Sequence, residues 1–517
     1  MSAAIRLRLP LVERAELERL YAGSNYAPLW LDQARRPGRS AHDASALLAD
    51  ASAHGLDPLE YGVANLAAIA GALEKGTSSC SDIVTFDLGL SASLLRFLRH
   101  IHRGRVEPHE VGLRLDLPTE KRDLVRQLRV AVEGGRVGDL VEEMSPAFAQ
   151  YEALRRMLAR YRSLTSGTNA PALKLSGRTL VPGERDERVP ALRRLLARLS
   201  DLPDAASRAG PGDVYDDPVV AGVKRFQLRH GLEPDGVIGT QTQAALAVPI
   251  ERRVQQIELA LERMRWLPDL HGQRVLTLNI PMFYLSAWDG DYFDGQPSLG
   301  MHAIVGTAEK TQTPVFRKAL EAVVFRPYWN IPASILRTEI LPIVEHDPDY
   351  LRREDMEIVR GAGDDASPVA VTEKSLVRLA HGEFRLRQRP GPRNALGLVK
   401  FIFPNEANVY LHGTPAQKLF ARSRRDFSHG CVRVAAPLRL AEWVLKNEPG
   451  WNLEQIEAAA ADAEHVSRAV ALTRPIQVLL LYTTASVMGN ETIHFADDIY
   501  GHDATLERAL ADRQHAR

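Results

Sequence analysis

The chain has 517 residues, and at ~150 residues per domain that length implies roughly three units and not one core. Hydrophobic residues at 45%, charged residues at 25% and aromatics at 6% describe ordinary globular sequence and exclude a disordered, collagen-like or disulfide-dense chain. Sixty-five Lys+Arg balance 65 Asp+Glu, so no global field draws the protein to nucleic acid or an anionic membrane; Cys80 and Cys431, far apart in the chain, make neither a disulfide framework nor a zinc set by themselves.

The first fourteen residues alternate Arg with Leu without an uninterrupted apolar run, so no secretory signal is read there. No stretch reaches the ~18 apolar residues that span a bilayer. From Glu13 to about Leu164 apolar residues recur at threes and fours, as in 90–98 and 148–161, which predicts a helical domain over 1–164. Cys80, in Ser78-Ser79-Cys80-Ser81, is expected to be a loop thiol without a role. The run 166–171 and then Val181-Pro182-Gly183-Glu184 break every periodicity and predict a linker between Leu164 and Arg185.

A small unit over 185–248 follows. Val189, Leu192, Leu195, Leu196 and Leu199 make one helical stripe, and Val219, Val220, Val223 and Phe226 make another. After a turn at Pro234-Asp235-Gly236, Thr240 is placed to cap a third helix ending near Leu246. The next helix, 252–266 within a segment 250–268, has no glycine breaker and is expected to return onto the first domain.

From Arg274 the period becomes two, giving a mostly β domain over 274–483. Strands are predicted at 275–280, 282–288, 301–305, 322–325, 399–403, 409–412 and 476–482, with Asp289-Gly290 as a hairpin turn. Between 333 and 394 the pattern lapses into charged, glycine-containing sequence, read as a lid or binding loop with a passive insertion as the alternative. Residues 484–517 are read as a tail.

Two segments carry the chemistry: Leu411-His412-Gly413-Thr414-Pro415 and Ser428-His429-Gly430-Cys431-Val432-Arg433-Val434. A strand ending at His412 and a glycine turn presenting Cys431 would set an imidazole and a thiol on adjacent segments, a base and a nucleophile. A thiol of pKa ~8.5 is mostly protonated at neutral pH and needs such a neighbour to ionise. Small Gly430 admits a substrate backbone, and the amides of Gly430 and Cys431 are candidates to face an oxyanion. Two bland readings stand beside this: Cys431 as a small buried hydrophobe, or His412, His429 and Cys431 as three metal ligands. Arg422, Arg424 and Arg425 either hold carboxylates or form a solvated basic loop, and Tyr328 and Trp329 either pack the sheet or line a groove.

The two segments, with 15 residues between His412 and Ser428, resemble the catalytic motif of the L,D-transpeptidase (YkuD) family. Asn279-Ile280-Pro281, Val305-Gly306, Thr313-Pro314, the run from Pro327 to Pro332 and the run from Arg389 to Gly397 match as well. Val223-Lys224-Arg225-Phe226-Gln227, His230-Gly231-Leu232 and Asp235-Gly236-Val237-Ile238-Gly239 resemble the peptidoglycan-binding domain 1 family. Asn25-Tyr26-Ala27-Pro28-Leu29-Trp30 with His102-Arg103-Gly104-Arg105-Val106 is similar to the long YcbB-type members.

The resemblance implies a multidomain α+β protein: a helical scaffold domain, a three-helix peptidoglycan-binding module, and a mostly β L,D-transpeptidase catalytic domain with a lid insertion. It implies Cys431 as nucleophile and His412 as general base or acid, with His429 and Gly430 shaping the pocket. Ser428, Arg433, Tyr410, Trp329 and Asn330 would bind substrate; Arg433 stands where many members have Asn. The reaction implied is attack on a stem tetrapeptide, release of D-Ala, a thioester on Cys431, and transfer to an amine to make a 3-3 cross-link. A hydrolase that gives the thioester to water and a non-catalytic wall-binding scaffold are the alternatives. No cofactor, ATP or metal is expected. The expected partners are peptidoglycan stem peptides as donor and acceptor and other cell-wall synthesis proteins, but no nucleic acid. The expected location is the periplasm or cell envelope of a Gram-negative-type bacterium.

Overall fold

The computed structural model describes residues 9–115, 122–165, 177–203, 212–290, 293, 295–347, 349–464, 467–489 and 491–515. Residues 1–8 and the linker stretch 166–176 lie outside the described residues. The chain forms two compact units, Met1–Asp269 with Thr483–Arg517, and Leu270–Tyr482. No described helix is long and apolar enough to cross a membrane.

The first unit is built on the helix Cys80–Arg103, which buries Phe86, Leu90, Leu94, Phe97, Leu98 and Ile101 at helical spacing against the helices Leu11–Ala22, Arg39–Ala49 and Leu124–Glu133. Its start is fixed by a reciprocal cap between Ser79 and Asp82, so Cys80 is the exposed first residue of this helix and not a loop thiol. Buried Asp87 accepts the Tyr21 hydroxyl at 2.5 Å and the Leu29 and Trp30 amides at 3.0 and 2.9 Å, which ties the Asn25-to-Trp30 segment to the helix.

The helix Ile250–Met264 does return onto this unit. Fully buried Glu262 accepts the Arg105 amide and, at 3.1 Å, the Val106 amide, while Trp266 Nε1 donates to the Val106 carbonyl at 2.8 Å.

Three helices, Val189–Arg198, Asp217–Arg229 and Thr240–Leu246, enclose the small core of Val189, Leu192, Leu196, Val219, Val223, Phe226 and Leu246. Leu180 joins that core and bridges to Ile238, so the module takes in residues expected in the linker. Gln227 stitches its glycine turn: it accepts the Gly236 amide at 2.8 Å and donates to Asp235 at 2.9 Å. Thr240 is the first helical residue, with Gly239 at the cap and no side-chain bond there.

Residues 483–517 are not a loose tail. A hairpin of Ala485–Met488 with Thr492–Phe495 and a helix His502–His515 bury Ala485, Ile493 and Phe495, and Asp503 pairs with Arg263 at 2.5 Å.

The second unit contains β1 (Arg274–Asn279), β2 (Tyr284–Asp289), β3 (Leu299–Gly306), β4 (Phe316–Phe325), β5 (Trp329–Asn330), β6 (Met356–Arg360), β7 (Ser367–Val369), β8 (Arg385–Gln388), β9 (Val399–Ile402), β10 (Leu411–His412), β11 (Asp426–Ser428), β12 (Val432–Val434) and β13 (Arg468–Leu481). The main sheet runs β11-β3-β12-β10-β9-β4-β13-β1-β2, and a further β2–β3 pairing closes it on itself. Most pairs are antiparallel; β1–β13, β10–β12 and β11–β3 are parallel. Val275, Ala287, Ile304, Val323, Phe401, Leu411, Val432 and Leu479 are all fully buried in it.

Sequence periodicity undercounts this sheet. β13 begins eight residues before the predicted 476, because Pro475 supplies no N–H and the β4 register shifts between Ala471 and Ile476. β2 ends at Asp289 and its partner β3 begins at Leu299, so Asp289-Gly290 is not a two-residue hairpin turn. The insertion is a small folded body: β5-β8-β6-β7 form a separate sheet, and Ile335, Leu336, Ile340, Val344, Leu351, Ile358, Leu379 and Leu386 form its own core. It begins at Trp329, before the predicted 333, since β5 pairs with β8.

Candidate active site

β10 lies between β9 and β12, and its register sets the site. His412 pairs with Lys400 on one side and Arg433 on the other; one step earlier, the Val432 amide donates to the Tyr410 carbonyl at 3.0 Å. Cross-strand partners share a sheet face, and so do residues two apart. Lys400, His412 and Arg433 therefore form one transverse row, with Tyr410 and Cys431 beside it on the same face.

The Cys431 thiol is partly buried, bonded to the Tyr410 side chain and 3.8 Å from the Asn408 carbonyl oxygen. Burial pushes its pKa up, and the hydrogen bonding to Tyr410 and the charges of Lys400 and Arg433 oppose that rise. The Tyr410 ring centroid lies 5.6 Å from that of His412 and 3.9 Å from the Lys400 Nζ.

His412 is buried, and its Nδ1 lies 2.5 Å from the Gly413 carbonyl oxygen, with the Leu396 backbone also engaged. Burial lowers its pKa to about 3, and the charges of Arg433 and Lys400 push the same way. The imidazole is uncharged at neutral pH.

The Ser428-to-Cys431 loop is held by hydroxyls. Ser428 Oγ donates to the Cys431 carbonyl at 2.5 Å and accepts the Gly430 amide at 3.1 Å. Thr313 Oγ1 donates to the Gly430 carbonyl at 2.8 Å and accepts the Gly306 amide at 2.9 Å; Thr311 Oγ1 donates to the Ser428 carbonyl at 2.9 Å. Gly430 has φ +106°, a conformation that favours glycine, and a Cβ on Gly306 would lie 1.8 Å from the Thr311 carbonyl oxygen. The Gly430 amide thus faces Ser428, a correction to its expected role toward an oxyanion.

His429 points elsewhere. Its Nε2 lies 2.6 Å from Glu339 Oε1, on the π-helical turn Leu336–Ile340 of the insertion, and both side chains are about half exposed at 46% and 48%. π turns inside helices often mark functional positions.

The structure brings Cys431, Tyr410, His412 and Arg433 to one face, with Ser428 and Gly430 in the adjoining loop. Trp329 and Asn330 pair with Gln388 and Arg387 in the insertion sheet; Trp329 packs on the insertion core, and no hydrogen bond or ring contact among the described residues ties either to Cys431. The basic loop is structural: Arg424 pairs with Asp426 at 2.7 Å, and Arg425 donates to the Arg422 carbonyl at 2.5 Å and contacts His302 at 3.0 Å. Among the described residues no group of three His, Cys, Asp or Glu is set to hold a metal. Sequence reasoning did not find Lys400, Asn408, Thr313 or Glu339 as site residues. Thr313 belongs to the Thr313-Pro314 motif, but Lys400 and Glu339 are visible only once register and insertion fold are known.

Residues 273–451 match the family model described as the L,D-transpeptidase catalytic domain, YkuD. Residues 15–158 match the scaffold domain, and 185–246 match the "Putative peptidoglycan binding domain". A Haemophilus influenzae protein named "Putative L,D-transpeptidase" is 32% identical over 255 residues, which are 49% of this chain and 49% of that protein, so the match spans about half the length of the relative. A crystal structure of the L,D-transpeptidase (residues 123–326) from Xylanimonas cellulosilytica aligns at 16% identity over 59% of this chain and 98% of that one, with a TM-score of 0.17 that is too low to bear on the fold. This chain carries the L,D-transpeptidase catalytic domain of the YkuD family, preceded in sequence by a scaffold domain and a peptidoglycan-binding domain.

Proposed function

We propose that this chain is a cysteine L,D-transpeptidase acting on peptidoglycan stem tetrapeptides. The observation that supports it is one arrangement inside the matched catalytic domain: a partly buried thiol, bonded to a tyrosine that neighbours an uncharged histidine, with the cysteine and tyrosine each directly preceding one of two paired parallel strands.

In this reading Cys431 Sγ attacks the carbonyl of the bond joining diaminopimelate to the terminal D-Ala. Its proton passes to His412, which is a free base throughout the neutral range, with Tyr410 bonded to the sulfur at the start. The C–N bond breaks as the proton held by His412 passes to the leaving nitrogen, D-Ala departs as the free amine, and a thioester remains. A side-chain amine of a second stem then attacks the thioester, loses its proton to the site, and regenerates the thiol. His429 acts on the pocket through its contact with Glu339, Gly430 gives the loop its turn, and Ser428, Arg433 and Tyr410 contact the donor. Trp329 and Asn330 support the insertion and so act on substrate indirectly. The protein would work in the periplasm, where mature peptidoglycan lies.

Intact mass spectrometry tests this directly. Incubation with a stem tetrapeptide should give an adduct on Cys431 with loss of D-Ala, and addition of an amine acceptor should discharge it to a cross-linked dimer. A trimmed stem without a dimer would make it a hydrolase, and no adduct under any condition would overturn the reading. Fractionation of the native gene product with the cytosol would overturn the location.

A further inference from the structure

Two cations flank His412, and no carboxylate among the described residues pairs with either. Arg433 Nε is buried without a hydrogen-bond partner, and Lys400 sits 3.9 Å from the Tyr410 ring centroid. The acidic groups that act on them electrostatically are Cys431, on both, and Asp364, on Lys400 alone; the Asp364 carboxylate accepts the Ser467 hydroxyl. Buried Arg387 of the same unit is paired with Glu357 at 2.7 Å, whereas buried Arg425, also without a carboxylate, is held by the Arg422 carbonyl and His302. Partly desolvated, uncompensated cations are unfavourable unless an anion completes them.

The register fixes their spacing. Lys400 and Arg433 are both cross-strand partners of His412, so two strand spacings of ~4.8 Å separate their backbones, and both side chains leave the sheet on the face that carries the thiol. A carboxylate fits such a gap and would lie next to the thiol.

We propose that Lys400 and Arg433 together form a carboxylate-binding site above His412, which seats a carboxylate of the donor peptide beside the carbonyl that Cys431 attacks. This rests on the transpeptidase reading and assigns Lys400 as a positioning residue. Two donor carboxylates lie on the residues that the scissile bond joins, the terminal one on the leaving D-Ala and the one on the diaminopimelate side chain.

Acylation kinetics of the full chain separate them. The donors are the free tetrapeptide, one amidated at its terminal carboxylate and one amidated at the diaminopimelate carboxylate; the proteins are wild type, Lys400→Met and Lys400→Arg. One amidated donor should raise the wild-type KM by about tenfold or more with kcat nearly unchanged, as loss of a charge-assisted bond requires, and that donor identifies the source. Lys400→Met should raise KM for the free donor by a similar factor but not further for that amidated donor, and Lys400→Arg should restore the wild-type value. Equal KM for all three donors on wild type would overturn the proposal, as would a Lys400→Met variant that lowers kcat equally for every donor. Wild type that forms no adduct with any donor would instead sink the transpeptidase reading beneath it.

Discussion

Glu339 of the insertion and His429 of the Ser428-to-Cys431 loop meet at 2.6 Å, two residues from Cys431. Both are half exposed, so the pair is worth at most ~1 kcal/mol of stability. Its consequence is positional, because it joins the insertion to the loop that presents the thiol. Glu339→Gln should leave Tm within a few degrees, speed amide exchange across 336–346, and raise KM for acylation. Unchanged exchange and kinetics would show that the contact does not hold the insertion.

The candidate site was legible in the sequence because its residues are local: His412, Ser428, Gly430 and Cys431 lie in two short segments. The row Lys400–His412–Arg433 was not, since β10 and β12 are only two and three residues long and carry too little alternation to reveal their pairing. The insertion was seen as an interruption, but its sheet was hidden because β5 comes before it in sequence and pairs with β8 at its far end. A deletion of 333–394 would therefore strip the partners of Trp329 and Ile331 and leave them uncovered. The helical and barrel cores were legible in outline, as their apolar periods are long.

The resting thiol should be sluggish. Burial raises the Cys431 pKa, whereas Cys80 stands exposed at a helix start, so at pH 7.5 iodoacetamide should modify Cys80 well before Cys431. Tyr410→Phe keeps the ring beside Lys400 and His412 but removes the hydroxyl bonded to the sulfur. That loss, on the order of 1.5 kcal/mol, should slow Cys431 alkylation and acylation about tenfold. Peptide mapping after timed alkylation checks both; equal rates for the two cysteines would contradict the burial of the thiol.

Acid should destabilise each unit through a buried neutral histidine. His54 in the first unit and His412 in the second both have pKa values lowered to about 3, chiefly by burial. In the unfolded chain each titrates near ~6.5, so between pH 6.5 and 3 the unfolded state binds more protons and stability falls as pH falls. The full contribution is present above about pH 6.5, and at pH 4.5 each group should have withdrawn roughly 2–3 kcal/mol. Denaturant midpoints at pH 7 and 4.5 for wild type, His54→Gln and His412→Gln check this: each substitution should flatten the pH dependence of its own unit.

The sharpest separation is between the roles within the catalytic loop. Cys431→Ala removes the atom that forms the thioester, so no adduct with a stem tetrapeptide should appear at any pH. His412→Ala leaves the sulfur in place but removes its proton acceptor, so acylation should persist at a rate at least tenfold lower. Because burial has already raised the thiol pKa, that residual rate should keep climbing as pH passes the ordinary thiol value of ~8.5. His429→Ala breaks the contact with Glu339 and should reproduce the KM effect of Glu339→Gln without any recovery at high pH. Acylation rates measured from pH 6 to 10 distinguish these outcomes. If His429→Ala shows the alkaline recovery and His412→Ala acylates normally, the base is the wrong histidine; if Cys431→Ala still carries the adduct, Cys431 is not the nucleophile.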